Sequence, residues 1–205
     1  MGRWNTCLQH MRHQCVVKED EYWNVELQDG EIPVEEECND TTLCLRTQDG
    51  FYLRIRYICI MGFGAMCFNG YVSIPNSLQY PHLTSWIQDH PQLEDLNEML
   101  NDVVELTYGD PHRLEYGWDH QHFRDADLGT PLWSQEHKYA SGPVQVLEEA
   151  RELIKAMKDL ENSLLQQRME DQCQIMETLR EELMRKVCHP KRIATWTEEG
   201  FDPFE

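Results

Sequence analysis

Thr42-Leu43-Cys44-Leu45-Arg46-Thr47-Gln48-Asp49-Gly50-Phe51-Tyr52-Leu53-Arg54-Ile55-Arg56-Tyr57-Ile58-Cys59 is the stretch that decides the fold. Leu43, Leu45 and Thr47 alternate before Gln48-Asp49-Gly50, a turn in which Gly50 can take a positive φ. Beyond it, Phe51, Leu53, Ile55, Tyr57 and Cys59 alternate with Tyr52, Arg54, Arg56 and Ile58. Successive side chains of a strand point to opposite faces. The pattern therefore predicts a hairpin with one buried face and both arginines on the other.

Working outward, Gly62-Phe63-Gly64 breaks the second strand, and Met66 to Ile74 reads as a third, ended by Pro75-Asn76. A loop with Pro81 leads to Asp89-His90-Pro91, where Asp89 can cap a helix with Pro91 in its first turn. Leu93, Leu96, Leu100 and Val103 then recur on one helical face. Residues 104–108 read as the end of that helix or as a new strand, and Gly109-Asp110-Pro111 as a turn. Leu114 to Trp118 reads as a short strand, and 119–127 as a polar loop. Upstream, residues 1–30 are mixed, with Trp4, Tyr22 and Trp23 as candidate anchors.

The last third changes character. After Ser141-Gly142-Pro143, neither Pro nor Gly recurs until Pro190. Ala150, Leu153, Met157, Leu160 and Leu164 follow 3–4 spacing, and Leu165, Met169, Cys173, Met176, Leu179, Leu183 and Val187 continue the seam after a phase shift. One helix of about 45 residues, or a helical hairpin, satisfies this pattern. A stripe this long usually pairs with another copy. A homo-oligomer is expected through the C-terminal helix, with Leu153, Met157, Leu160, Leu164, Met176, Leu179 and Leu183 at the contact. The alternative is a helix folded back on its own core. The expected class is α+β, an antiparallel sheet with a packed helix followed by a long C-terminal helix or helical hairpin. Its parts are an N-terminal segment 1–41, a core 42–140, a helical region 141–189 and a tail 190–205, where Trp196, Phe201 and Phe204 are candidate docking points.

Composition narrows the function classes. The 205 residues carry 18 Lys plus Arg against 37 Asp plus Glu, a formal charge of −19. Such a chain repels nucleic acid backbones, so direct nucleic-acid binding is not expected. No apolar run approaches the roughly 20 residues that span a bilayer, so no membrane association is expected either. The N-terminus lacks the apolar segment of a secretory signal. Eight cysteines include no C-x-x-C pair. Reduced thiols and a cytoplasmic setting are expected, with Cys59 and Cys67 read as core.

The densest polar cluster is Gly117-Trp118-Asp119-His120-Gln121-His122-Phe123-Arg124-Asp125. Asp119, His122 and Asp125 recur every three residues, which one helical turn would bring to one face. Two carboxylates and an imidazole can hold a divalent metal or transfer protons. No cofactor is otherwise indicated, and no phosphate-loop, nucleophile-elbow, zinc-helix or dinucleotide motif occurs. Arg54, Arg56, Arg113 and Arg124 can hold an anion locally despite the net charge.

Gly70-Tyr71-Val72-Ser73-Ile74-Pro75, Leu106-Thr107-Tyr108 and Gly117-Trp118-Asp119-x-x-His122-x-x-Asp125 follow one another at separations that resemble a family of uncharacterised phage and bacterial proteins. That family reads approximately G-Y-V-x-V-P, H-P, V-H-G-G-L-T-Y and G-F-D-x-x-H-x-x-D. The likeness covers roughly residues 66–160. Tyr80-Pro81 stands where the family has H-P, and Val103-Val104-Glu105 where it has H-G-G, so two histidines of the pattern are missing. The resemblance implies a viral or phage-type accessory protein that keeps a scaffold and captures or inhibits a host component in the host cytoplasm, a defence protein or a small anionic ligand such as a nucleotide signal. Two other functions stay open. One is a metal-dependent hydrolase using Asp119, His122 and Asp125, in which a metal would lower the pKa of a bound water. The other is an acidic polyanion mimic, whose complex would weaken steeply with salt.

Overall fold

The computed structural model of the chain describes residues 2–15, 19–59, 66–75, 78–101, 103–119 and 142–187. These residues divide between two compact units, Met1–Leu164 and Leu165–Glu205. The first is α+β. Its elements run α1 (Arg3–Gln14), α2 (Asp20–Trp23), β1 (Glu31–Pro33), β2 (Thr42–Thr47), β3 (Tyr52–Cys59), β4 (Met66–Ser73), α3 (Pro81–Asp89), α4 (Leu93–Met99), β5 (Tyr108–Asp110) and β6 (Glu115–Trp118). A single helix, α5 (Pro143–Val187), follows, so the helical hairpin is not formed.

The six strands form one antiparallel sheet in the order β1-β2-β3-β4-β6-β5. The β2–β3 hairpin closes as expected. Gly50 sits at φ 90°, and the Gly50 amide donates to the Thr47 carbonyl. Leu43, Leu45, Phe51, Leu53, Ile55 and Tyr57 are all buried, so the alternation identifies the core face residue by residue. Phe68, Val72, Tyr116 and Trp118 extend that face across β4 and β6. They share one apolar cluster with Val146, Leu147, Ala150, Leu153, Ile154, Met157 and Leu160 of α5, with Leu83 and Ile87 of α3, and with Trp4, Cys7 and Met11 of α1.

This burial corrects the oligomer contact expected from spacing. Leu153, Met157 and Leu160 are covered by the core of their own chain, and Leu164 packs partly against it. They are not free to meet a second copy. Met176, Leu179 and Leu183 belong to the second unit and are more than half exposed.

Polar contacts tie α5 to the sheet and to α3. Arg151 grips Glu31 through Nε at 2.8 Å and Nη2 at 2.7 Å, and also donates to the Glu26 carbonyl. Lys158 pairs with Asp49 in the hairpin turn. The Glu161 carboxylate accepts from the backbone amides of His82 (3.3 Å) and Leu83 (2.6 Å), in the first turn of α3. Those amides have no partner within their helix.

Three local expectations differ from the structure. Pro81 opens α3 rather than a loop, because a first-turn proline gives up no helical hydrogen bond. Asp89 ends α3, and α4 begins after Gln92, so Asp89 caps nothing there. Tyr108–Asp110 is an edge strand, where the Gly109-Asp110-Pro111 turn was expected; the turn lies one step later, at 111–114. The tail residues Trp196, Phe201 and Phe204, and the side chains of Cys59 and Cys67, lie outside the described residues.

Candidate functional site

The site lies on the second face of the sheet. Strand register lines up Cys44, Arg54, Tyr71, Gly117 and Tyr108 as directly opposed neighbours on β2, β3, β4, β6 and β5. A neighbouring pair is Arg56 and Asn69. Arg54, Arg56, Asn69, Tyr71, Thr107, Tyr108, Glu115, Gly117, Trp118 and Asp119 line an open groove of about 310 Å³. That volume is near the lower end for small-molecule sites.

The row is built by close approach at Gly117. A Cβ there would stand 2.6 Å from Tyr71 Cδ1 and 2.9 Å from the Gly70 carbonyl oxygen. The missing side chain lets the Tyr71 ring lie against the β6 backbone. Tyr108 meets that ring edge-on, with centroids 6.0 Å apart. From the other side, the Arg54 guanidinium stacks 4.6 Å from the Tyr71 centroid. Arg54 Nη2 donates to Glu115 Oε1 at 3.0 Å, while its buried Nε has no hydrogen-bond partner among the described residues. Stacking and ion pairing together fix the guanidinium plane. Arg56 is exposed and makes no ion pair among the described residues.

Asp119 follows Trp118 directly, so strand alternation turns it to the groove face. Its Oδ2 accepts from Thr107 Oγ1 at 3.0 Å. At the β2 end, Cys44 is buried, and burial pushes its thiol pKa up. Cys38 beside it is pushed up to about 11, again chiefly by burial. Both stay protonated near neutrality, so neither offers a thiolate nucleophile.

The structure thus brings together three residues singled out in the sequence: Arg54, Arg56 and Asp119. Arg113 is elsewhere, in the β5–β6 turn, beside Asp110 at 3.7 Å. His122, Arg124 and Asp125 lie outside the described residues. Among the described residues, no three His, Cys, Asp or Glu side chains gather as a metal site. The sequence reading missed Tyr71, Tyr108 and Glu115 as groove residues. The strand order supplies them, since β6 inserts between β4 and β5 and carries Glu115 toward Arg54 across 61 residues of chain.

In comparisons with protein-family models, curated proteins and solved structures, no match to the chain was found. No described helix is long and apolar enough to cross a membrane.

Proposed function

We propose that the chain is a phage-type accessory protein that binds a small anionic host ligand in the sheet groove, within the host cytoplasm. The observation that supports it is the content of the groove. Arg56 offers a charge with its own donors, Tyr108 offers a ring that is 42% exposed, and Glu115 and Asp119 offer acceptors, all lining the one groove. A nucleotide matches these three functions together: phosphate for the guanidinium, a base for the ring, and sugar hydroxyls for the carboxylates. Of the motifs that carry the phage resemblance, Tyr71, Thr107, Tyr108, Gly117, Trp118 and Asp119 line this groove.

The test is calorimetric titration of the purified full chain with mono- and cyclic nucleotides. Binding by at least one is expected, with Arg56→Ala weakening it about 10- to 100-fold, the value of a charge-assisted hydrogen bond. Absence of heat across the panel at millimolar ligand, or equal binding by Arg56→Ala, overturns the reading. Asp119 supports a second reading, a metal-dependent hydrolase, because it lines the same groove. That reading requires metal-dependent turnover that is lost in His122→Ala.

A further inference from the structure

The distal part of α5 carries an apolar seam with no cover among the described residues. The stripe buried in the first unit follows a seven-residue repeat through Val146, Ala150, Leu153, Met157 and Leu160 to Leu164. Continued, that repeat would reach Gln167, Asp171, Gln174, Thr178 and Glu181, which are all polar. The apolar residues instead restart in a different phase, one or two positions beyond those, at Leu165, Met169, Met176, Leu179 and Leu183, with Gln172 in the same repeat. The exposures of these five apolar residues run from 41% to 65%, and Ile175 beside them is 59% exposed. A strict 3–4 repeat is the pattern of a two-helix seam.

We propose that this seam pairs with the same segment of a second copy, antiparallel, in one register. The layers are Leu165 against Leu183, Met169 against Leu179, and Gln172 against Met176, each occurring twice about a two-fold axis. Charge selects this arrangement. In the antiparallel register, Arg168 of one copy flanks the seam opposite Glu182 of the other, and Ile175 meets Ile175 at the axis. In a parallel pair, the flanking neighbours would be Arg168 with Cys173, Ile175 with Arg180, and Glu182 with Val187, with no acid–base match. Antiparallel helix dipoles also attract. A parallel pair would further bring together two copies of Met1–Leu164, which carries most of the net charge of −19. The seam offers on the order of 600 Å² of apolar surface per helix, at the low end for a stable pair. Gln172 weakens the pair and helps to fix its register.

Sedimentation velocity of the full chain tests it, from about 1 to about 100 µM. A reversible dimer is expected. Leu179→Glu should abolish it while leaving the thermal melt of the first unit unchanged, because Leu179 lies outside that core. Arg168→Glu and Glu182→Arg should each weaken the dimer roughly tenfold, since each turns two attractions into repulsions. The combined variant should recover wild-type association, because the swapped charges face each other again across the axis. A monomer throughout the range, a dimer indifferent to Leu179→Glu, or a double variant no stronger than its parents overturns the proposal.

Discussion

Replacing Gly70 with Ala should destabilise the protein, although strand propensity alone predicts the opposite. Gly70 lies mid-strand in β4 and opposes Trp118 of β6. Among the described residues, the positive-φ glycines are Gly30 and Gly50, so the backbone at 70 can accept alanine. On that ground alone, Gly→Ala in a strand should gain about 0.5–1 kcal/mol. Packing reverses the sign. A Cβ at position 70 would overlap three carbons of the Trp118 indole. The ring is buried, and it is held in place because Nε1 donates to Glu149 Oε2 at 2.7 Å. Overpacking typically costs about 1–3 kcal/mol. If the ring moves instead, the bond to Glu149 is lost, at about 1.5–3 kcal/mol for a charged acceptor. Mid-range, either route outweighs the propensity gain, and a net loss of about 1 kcal/mol, at most about 2.5 kcal/mol, is expected.

Urea denaturation followed by tryptophan fluorescence and circular dichroism measures the loss. The cause is isolated by a double-mutant cycle with Trp118→Leu. Removing the indole opens the space, so Gly70→Ala in that background should be close to neutral or stabilising. The reasoning fails if Gly70→Ala is as stable as the wild type, or if it costs the same with and without the indole.

Three further outcomes follow from contacts already described. Glu161→Ala should cost about 1 kcal/mol and speed amide exchange at the start of α3, because two first-turn amides lose their acceptor; unchanged exchange there would refute the capping role. Burial alone would raise the Glu31 pKa, but the Arg151 hydrogen bond, the Gln28 amide and the Arg151 charge outweigh it and leave it lowered, and Asp49 is lowered likewise against its burial by Lys158 and Thr47. A carboxylate with a depressed folded pKa stabilises above its unfolded value, so this contribution should be complete above the ordinary carboxylate range and lost as pH falls below that range, through the depressed folded values; Glu31→Gln should flatten that acid limb in urea midpoints measured against pH. Cys173 is exposed whereas Cys38 and Cys44 are buried, so a thiol reagent at neutral pH should label Cys173 in the native protein and the other two only on unfolding.

What was legible in the sequence was whatever a single segment determines. The β2–β3 hairpin was readable because a period of two and a glycine turn are local signals. The helical character of α5 was readable from an unbroken stretch without Pro or Gly, but that pattern fitted a helical hairpin as well as the single helix that forms. The first helix was not, since its buried face is only Trp4, Cys7 and Met11 in an otherwise polar segment. The third was masked by Pro81, which marks a helix start as well as a loop. Its capping acceptor, Glu161, lies 78 residues from Leu83 and carries no local mark. The groove shows the same division. Alternation alone placed Arg54 and Arg56 on the second face, but their neighbours depend on strand order.

The register also gives physical content to two short motifs of the sequence, Gly70-Tyr71 and Gly117-Trp118. Gly70 opposes Trp118, and Tyr71 opposes Gly117. Each dipeptide thus supplies one glycine and one ring, and each ring fills the space above the other's glycine, on opposite faces of the sheet. Trp118 covers Gly70 within the core, while Tyr71 covers Gly117 in the groove. Cross-strand pairing of this kind fixes register as well as stability, because a one-residue slip would set Gly70 against Gly117 in one direction or Tyr71 against Trp118 in the other, and exchange the two faces. The consequence reaches the candidate site. Glu149 holds Trp118, Trp118 fixes the end of β6, and Asp119 leaves that end on the groove side, bonded to Thr107. The Gly–aromatic motifs therefore explain a scaffold that presents Asp119, Arg54 and Arg56 to one groove. They do not themselves supply a reaction, and so the exposed Arg56, whose removal should leave the scaffold intact, is the place where binding can be separated from folding.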